Sequence, residues 1–508
     1  MKKSKIRGKI QLLKDLMDRR REESKQILDR VNPKFKLSAE NLVHYLSLRT
    51  LDLRKIQDEL SEIGLSSLGS PEAYAYRNIC DLLTWLKYCE ENGIEPSQKQ
   101  IPSISYKKSR TVITKNTNRL FGRLPKKKRV HIMVTMPTEA AEDYTLVKGL
   151  IAEGMDIARI NLGHDNREIW QAIVANINVA SNELGKKCKV YCDLAGPKIR
   201  TEKVFHENGK PVNAKKGKRL FIGDQILLSK NEQALDFGNK EYAAMATIST
   251  PSIIDDLEKD QPIWFDDGKM GGIVELKSAD SAVIRFNKCR LKGGRFRPGK
   301  GINLPQTKLI LPSLMPYDLD HLDFVAQNAD IIGYSFVRTR KDVKTLLEEL
   351  DKHGGTKKGG IVLKIENNEA FYNLPQLILE AMRLRAVGVM LARGDLAVEV
   401  GFERISEVQQ EILSICEAAH IPIIWATQVL ENLAKKGLAT RAEISDVALA
   451  ARAECVMLNK GPYILEAVRS LADILNRMTG QLNKNKFRYR PLKIAKKFFQ
   501  AETDNKVS

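Results

Sequence analysis

Eight short runs of apolar and β-branched residues, beyond residue 129, constrain the fold of this chain more than any other feature. Successive runs begin 26 to 34 residues apart, except after the third, and most intervals carry apolar residues at helical spacing. Apolar runs that alternate with helices are typical of parallel strands buried on both faces. Eight such units predict an α/β fold of the (β/α)8 TIM-barrel type. The runs are 130–136, 156–162, 189–195, 331–337, 361–367, 388–394, 422–428 and 455–461.

The interval after the third run is much longer than the others. About 130 residues lie between position 201 and the fourth run. Segments of alternating polarity separated by turn residues occur there, at 220–230, 263–277 and 281–294, as in antiparallel hairpins. We therefore predict a small β domain inserted after strand 3 as a lid. The predicted boundaries are 129–203 and 302–480 for the two parts of the barrel and 204–301 for the insert.

The segments that flank the barrel are helical or basic. Apolar residues near helical spacing predict one helix from a cap at Ser38 to about residue 64, and another from Ser70-Pro71-Glu72 to Gly93. Residues 96–128 contain ten Lys or Arg and no acid, and residues 474–501 contain eight and no acid. These patterns predict an N-terminal all-α extension at 1–93, a basic linker at 94–128 and a basic tail at 481–508.

The net charge of +20 suits nucleic acid, an anionic membrane or anionic substrates. Because much of the excess lies in the two flanks, nucleic acid is not expected as a partner. The chain has no apolar run of about eighteen residues, so no membrane partner is expected either. Its seven cysteines form no CxxC pair, and its basic N-terminus lacks an apolar core. These features predict a cytoplasmic protein with reduced thiols.

Polar residues stand at the carboxyl ends of five predicted barrel strands. TIM-barrel enzymes place their chemistry at this rim, so independent strands would direct polar groups into one cavity. The residues are Arg159, Asn161, Asp193, Lys364, Glu366, Arg393, Asp395, Thr427 and Gln428.

The types of these residues favour phosphoryl transfer. Glu366 and Asp395 come from adjacent strands with no His or Cys beside them, which suits Mg²⁺ or Mn²⁺ completed by water and substrate oxygens. A ring of cations would stabilise the anionic donor, acceptor and migrating group. One Lys–Glu pair would be structural about as often as functional, but five strands with polar ends make that interpretation weaker. The cations are Arg159, Lys198, Arg200, Lys364 and Arg393.

Nine motifs resemble those of pyruvate kinase, in that family's order, and cover roughly residues 129–470. The resemblance implies a glycolytic phosphotransferase that converts phosphoenolpyruvate and ADP to pyruvate and ATP with Mg²⁺ or Mn²⁺. It also implies the inserted domain and a homo-oligomer. The motifs are ARINLGH (158–164), DLAGPKIRT (193–201), IWFDDG (263–268), GKGINLP (299–305), SFVR (335–338), KIEN (364–367), ARGDL (392–396), ATQVLE (426–431) and TRAEISDVA (440–448).

The same resemblance implies a role for each matching residue. Glu366 and Asp395 would bind the divalent ion, and Lys364 and Arg159 would stabilise the transferring phosphoryl group. Thr427, with catalytic contact to the pyruvate part, would bind substrate together with Arg393 and Gly394. The residues expected to handle the nucleotide are Asn161, His164, Arg200, Lys300 and Asp267.

Several residues depart from the family pattern. Gly163 replaces a serine that binds K⁺, and Lys198 replaces a glutamate associated with K⁺ dependence. We expect Lys198, paired with Asp193, to substitute for the monovalent cation, so that K⁺ is not required. Residues 458–462 replace the SGET-type loop that is thought to help protonate the enolate. The chain ends soon after the last barrel helix, so neither the family's C-terminal effector domain nor activation by fructose 1,6-bisphosphate is expected.

Two other functions remain open. A metal-dependent pyruvate-enolate lyase or aldolase would use the same cavity, although the inserted domain and the nucleotide motifs argue against it. A non-catalytic family member with a binding or regulatory role would explain the altered eighth loop and the charged flanks. The retained Lys364, Glu366 and Asp395 oppose that interpretation.

Overall fold

The computed structural model describes residues 2–62, 65, 68, 71–91, 103–104, 106–125, 128–354, 359–478 and 492–504. The predicted helix start at Ser70, the helix end at Gly93 and residues 481–491 of the predicted tail lie outside these ranges. Helices precede the barrel, as the sequence predicts. They are α1 (Lys2–Glu23), α2 (Lys25–Asp29), α3 (Lys36–Arg49), α4 (Arg54–Glu62), α5 (Ala75–Glu91) and α6 (Tyr106–Phe121).

The first part of the barrel leads into an inserted sheet domain. The barrel elements are β1 (His131–Thr135), α7 (Tyr144–Glu153), β2 (Ile157–Asn161), α8 (Arg167–Leu184) and β3 (Lys189–Asp193). The inserted elements are β4 (Thr201–His206), β5 (Lys218–Leu220), β6 (Gln225–Ser229), β7 (Tyr242–Ile248), α9 (Ile253–Asp256), β8 (Pro262–Phe265), β9 (Met270–Lys277), β10 (Ser281–Lys288), β11 (Gly294–Phe296) and β12 (Ile302–Asn303).

The second part of the barrel alternates strands with helices and is followed by a C-terminal helix. Its elements are α10 (Pro316–Leu319), α11 (Leu322–Asn328), β13 (Ile331–Tyr334), α12 (Arg340–Lys352), β14 (Gly360–Ile365), α13 (Asn368–Tyr372), α14 (Leu374–Ala381), β15 (Val387–Ala392), α15 (Arg393–Val400), α16 (Ile405–Ala419), β16 (Ile423–Ala426), α17 (Glu431–Lys436), α18 (Arg441–Ala450), β17 (Cys455–Leu458), α19 (Ile464–Met478) and α20 (Lys493–Asp504).

Strand pairing confirms the predicted TIM barrel with an inserted β domain. Eight parallel strands close in the order β1-β17-β16-β15-β14-β13-β3-β2, and most of their residues are buried. The insert forms a seven-stranded sheet, β12-β8-β9-β10-β6-β7-β4, around its own apolar cluster, which includes Phe265, Phe286 and Phe296. The pair β11-β5 lies beside it. No helix in the described part of the chain is long and apolar enough to span a membrane.

The predicted helix that begins at Ser38 is interrupted. Helix α3 starts two residues earlier, at Lys36, and ends at Arg49, and α4 begins at Arg54. The Asp52 side chain accepts a hydrogen bond from the backbone N–H of Arg54 at 3.1 Å, in the manner of a helix cap. Asp52 therefore caps the start of α4, a second helix start that the apolar periodicity did not predict.

The N-terminal helices pack directly on the barrel. Helix α3 is buried along its length, between α1 and α5 on one side and α16 on the other. The Asn41 side chain donates a 2.7 Å hydrogen bond to the carbonyl oxygen of Ala418, and a ring nitrogen of His420 lies 2.8 Å from the carbonyl oxygen of Ala73. The apolar core of the extension is continuous with that of the barrel.

Helices occupy parts of both basic flanks, where the sequence predicted a linker and a tail. Helix α6 carries Leu120 into the amino-terminal end of the barrel, where a Cβ added at Gly360 or Gly388 would lie 2.3 or 2.5 Å from its methyl groups. Helix α20 packs against α3, and the Leu492 N–H donates to the carbonyl oxygen of Arg49 at 2.8 Å. Each helix has a buried apolar face beneath the charges that dominate its sequence.

The substitution Leu120→Ala tests whether α6 is part of the barrel core. Leu120 is 1% exposed and fills space that Gly360 and Gly388 leave, so its truncation should lower the free energy of unfolding by about 3 kcal/mol. Urea unfolding followed by circular dichroism would measure the change. Leu12→Ala on α1 is the matched control, because Leu12 is 69% exposed. Equal effects of the two substitutions would contradict this role of α6.

Candidate active site

A buried carboxylate at the end of β3 organises the barrel rim. Asp193 is fully buried, and its Oδ2 accepts hydrogen bonds from Arg159 Nε at 2.7 Å and Lys364 Nζ at 3.1 Å. Strand register aligns Asp193 with Asn161 on β2 and Gly333 on β13. Gly333 must lack a side chain, because an added Cβ would lie 2.1 Å from Asp193 Oδ1. Two cations from separate strands thus converge on one oxygen.

Lys364 extends this cluster to the neighbouring strand ends. Its Nζ donates to Ser335 Oγ at 2.7 Å and lies 3.2 Å from Glu366 Oε1. The other carboxylate oxygen of Glu366 accepts the backbone N–H of Phe336 at 2.7 Å. Both Lys364 and Glu366 are buried, so these contacts fix their side chains at the rim.

The pKa values of the buried carboxylates Asp193 and Glu366 shift in opposite directions. The cations of Arg159 and Lys364 outweigh the burial of Asp193 and lower its pKa, so it remains ionised. For Glu366, burial raises the pKa, and the nearby Asp395 carboxylate raises it further despite the opposing charge of Lys364. Glu366 and Asp395 are therefore close enough to repel each other, and a cation between them would relieve that repulsion.

Lys198 contacts Asp395, one member of this carboxylate pair. Its Nζ is 3.0 Å from each carboxylate oxygen of Asp395 and 3.5 Å from Asp267 Oδ1 in the insert. Burial disfavours the ammonium, but the charges of Asp395 and Asp267 outweigh it and raise the pKa of Lys198. The structure pairs Lys198 with Asp395 and Asp267 instead of the predicted partner Asp193, whose carboxylate binds Arg159 and Lys364.

Glu366 and Asp395 are the rim residues that could hold a divalent ion. Mg²⁺ at phosphoryl-transfer sites is often bound by one or two carboxylates, with water and substrate oxygens completing its shell. Glu366 and Asp395 fit that pattern of one or two carboxylates. The described residues contain no larger metal site, that is, no group of three or more His, Cys, Asp or Glu arranged to hold a metal. Lys198 would have to leave Asp395 for the ion to bind.

Thr427 and Arg393 differ in whether their polar groups already have hydrogen-bond partners. Thr427 and Gln428 follow β16 with φ of 64° and 56°, and the buried Thr427 Oγ1 has no hydrogen-bond partner within the described ranges. A Cβ added at Gly394 would lie 3.8 Å from Thr427 Cγ2, which places these two residues side by side. Arg393 instead binds both carboxylate oxygens of Asp446, at 2.5 and 2.8 Å. Its guanidinium is therefore already engaged.

A cavity of about 280 Å³ opens beside the Asp193 cluster. Burial lowers the pKa of His164, and the charges of Lys460 and Arg200 lower it further, so the neutral imidazole is favoured there. The cavity can accommodate an anionic group, since several donors surround it. Its lining includes Thr135, Arg159, Asn161, His164, Lys435 and Lys460.

The remaining predicted nucleotide residues lie where the insert joins the barrel. The Arg200 guanidinium donates to the carbonyl oxygen of Gly299 at 3.1 Å, and Lys300 Nζ donates to Asp266 Oδ1 at 2.6 Å. Asp267 has a φ of 54° and a side chain that is 54% exposed. These residues lie at the base of the insert rather than on the strand ends that form the rim.

Several polar residues that hydrogen-bond to the site residues were not predicted from the sequence. Ser335 and Thr135 accept hydrogen bonds from Lys364 and Arg159, and both stand at strand ends, so the rim rule could have found them. Asn303 does not stand at the end of a barrel strand, so the same rule could not have identified it. Its Nδ2 lies 3.3 Å from Asp395 Oδ1 and 3.2 Å from Glu399 Oε1, and burial raises the pKa of Glu399 to about 7.

Comparison with known proteins places this rim in a family. The model of the pyruvate kinase barrel domain matches residues 127–468. The chain is 33% identical over 355 residues to the pyruvate kinase of Geobacillus stearothermophilus, covering 68% of this chain and 56% of that protein. It is 34% identical over 357 residues to pyruvate kinase 1 of Trypanosoma brucei brucei, covering 68% and 67%. The chain thus spans about half to two thirds of these relatives.

Asp193→Asn tests the role of the buried carboxylate. At pH 7 the substitution should lower the free energy of unfolding by about 3 kcal/mol, because buried Arg159 loses its counter-charge and Lys364 keeps only Glu366. The lowered pKa of Asp193 means that its contribution is present above the unfolded value of about 4 and is lost as pH falls through the folded value. The difference from wild type should therefore shrink in acid.

Chemical denaturation from pH 7 to pH 3 would measure this difference. Asp320→Asn is the control, since Asp320 is exposed on the barrel surface. A gap between Asp193→Asn and wild type that stayed constant across this range would contradict the electrostatic role.

Proposed function

The chain belongs to the pyruvate kinase family, and we propose that it transfers a phosphoryl group from phosphoenolpyruvate to ADP. The observation that carries this proposal is the convergence of Arg159 and Lys364 on Asp193, next to the carboxylates of Glu366 and Asp395. Fixed cations beside a carboxylate pair can bind an anionic substrate and stabilise charge that develops during transfer.

Arg159 and Lys364 contact the migrating phosphoryl group in this mechanism. The bond between phosphorus and the enol oxygen breaks, a bond to the β-phosphate oxygen of ADP forms, and the enolate takes up a proton to give pyruvate. Both cations are held by Asp193, so they need little reorganisation when substrate arrives. Thr427 Oγ1, which lacks a partner within the described residues, donates to or accepts from the pyruvate part.

Glu366 and Asp395 would hold Mg²⁺ or Mn²⁺ in the working enzyme. The ion, when bound, supplies positive charge that offsets repulsion between the two anionic substrates. Glu366 is pre-oriented for this role by the Phe336 N–H and by Lys364. Asp395 becomes available when Lys198 moves away from it.

The nucleotide lies between the rim and the insert. Asn161 and His164 line the rim cavity, with Lys435 and Lys460 as further donors that the sequence did not suggest. Arg200, Lys300 and Asp267 approach from the insert, and Gly394 leaves room for substrate beside Thr427. Arg393 binds Asp446 and so positions the segment around Gly394, rather than contacting the substrate itself.

Lys198 makes K⁺ unnecessary. Its ammonium lies 3.0 Å from Asp395, and when it gives way to the divalent ion its flexible stem keeps it beside the carboxylates, where it supplies the positive charge that a monovalent ion would provide. We also propose that the protein is cytoplasmic, consistent with the free cysteines among its described residues, and that it forms homo-oligomers.

A coupled assay tests the activity. Pyruvate formed from phosphoenolpyruvate, ADP and Mg²⁺ would be reduced by lactate dehydrogenase, and the loss of NADH absorbance gives the rate. Asp395→Ala should lower kcat more than about a hundredfold, because it removes a charged ligand of the ion. Glu466→Ala on the exposed face of α19 is the control. A near-wild-type rate for Asp395→Ala would refute the metal assignment, and an inactive wild type would refute the proposed reaction.

A second assay tests the role of Lys198. Wild-type activity should be nearly the same with tetramethylammonium chloride as with KCl, because the ammonium is built in. Lys198→Glu should lower activity at least about tenfold, with partial recovery on adding K⁺. Lys216→Glu, on an exposed turn of the insert, should change neither property. A wild type that needs K⁺ would overturn this assignment.

A further inference from the structure

A basic groove lies between the N-terminal extension and the barrel, away from the rim. It consists of two adjoining cavities of about 420 and 550 Å³ that share Lys344 and Arg383. Volumes of this size match those of small-molecule sites. We define the groove by six cationic residues, Arg30, Lys34, Arg340, Lys344, Arg383 and Arg385.

The groove is formed where the extension is anchored to the amino-terminal end of the barrel. The Asn32 N–H donates to the carbonyl oxygen of Met382 at 3.2 Å, which fixes the loop after α2 beside the end of α14. Residues 382–386 lead into β15, whose opposite end carries the Asp395 site. This part of the groove therefore lies at the opposite end of β15 from Asp395, and Arg340 reaches it from the start of α12.

A buried carboxylate positions two of the guanidinium groups. Glu380 is 3% exposed, and it accepts hydrogen bonds from Arg340 Nε at 2.5 Å and from Arg383 NH1 at 2.7 Å. Each arginine uses one nitrogen for this contact, which leaves its other N–H groups for a ligand. Both side chains are partly exposed, at 39% and 47%. The groove thus contains a pair of oriented arginines rather than freely rotating surface charges.

Cations outnumber acids around the groove. Besides Glu380, whose charge the two arginines neutralise, Glu348 and Asp351 also line it. Glu348 lies 3.5 Å from Lys344, but both side chains are about 60% exposed, so this pair is weak. Positive charge is therefore concentrated in a concave surface that an anion can enter.

We propose that the basic groove binds a small phosphorylated metabolite that carries at least two phosphoryl groups. Guanidinium groups bind phosphate through paired N–H donors, and two oriented arginines with lysines on either side suit a multiply charged ligand. The cations are confined to two adjoining cavities, which favours a small molecule over nucleic acid, because nucleic acid needs an extended basic stripe. Arg30 and Lys34 lie outside the residues matched by the family model, so the extension contributes to a site of its own.

The ligand would link the extension to the barrel. Arg30 and Lys34 come from the extension, and Arg340, Lys344 and Arg383 come from barrel segments, so an occupant would contact both. Binding to the folded state alone would then stabilise the docked arrangement. This proposal does not depend on the proposed phosphoryl transfer, because none of these residues belongs to the rim.

Hydrogen–deuterium exchange with inorganic pyrophosphate tests the site on the full chain. Pyrophosphate should slow exchange in residues 340–348 and 382–385, and it should also protect 159–164, since the rim binds phosphates. The double substitution Arg30→Glu with Lys344→Glu should abolish the first effect only and raise the dissociation constant for the groove at least about tenfold. Arg30→Gln with Lys344→Gln should act in the same direction without added negative charge.

Lys341→Glu is the matched control. Lys341 is exposed on α12 beside Lys344 but does not line the groove, so protection should remain at the wild-type level. Protection confined to the rim, or protection of 340–348 that survives both double substitutions, would overturn the proposal. Displacement of pyrophosphate from the groove by a DNA duplex, with tighter binding of the duplex, would show that the class of ligand is wrong.

Discussion

The rim depends on the buried charge of Asp193. Without that carboxylate, buried Arg159 would lose its counter-charge and Lys364 would keep only Glu366, so the two cations would be costly to bury beside each other. Its position depends in turn on the parallel register of β2, β3 and β13 and on the missing side chain of Gly333. The chemistry of the site is therefore a consequence of barrel geometry, and the same oxygen that stabilises the fold positions the cations.

Lys198 connects three parts of the molecule: the segment after β3, the rim and the insert. It follows β3, its ammonium contacts Asp395 on α15, and it approaches Asp267 on the insert. A change in the position of the insert therefore changes the charge next to Asp395. Asn303, which ends the insert, contacts the same carboxylate. Both ends of the inserted domain are thus coupled to one residue of the rim.

The barrel, the insert and the rim residues could be predicted because each has a local signature. Apolar runs identify strands, and the carboxyl ends of parallel strands must meet, so Asp193, Lys364 and Glu366 followed from sequence. Partners across the rim could not be assigned, since Lys198 and Arg393 could reach more than one carboxylate. Their contacts with Asp395 and Asp446 are settled by packing. Helices α6 and α20 were missed because charge runs concealed their apolar faces.

The burial of α3 has a consequence for how the protein is made. Its Asn41 binds Ala418, which is 377 residues later in the chain, and α16 covers one of its faces. A ribosome releases α3 long before that cover exists. The first helices must therefore wait, with apolar surface exposed, until most of the barrel has been synthesised. Such a nascent chain exposes apolar surface that chaperones can bind, and α3 can dock on α16 only late in synthesis.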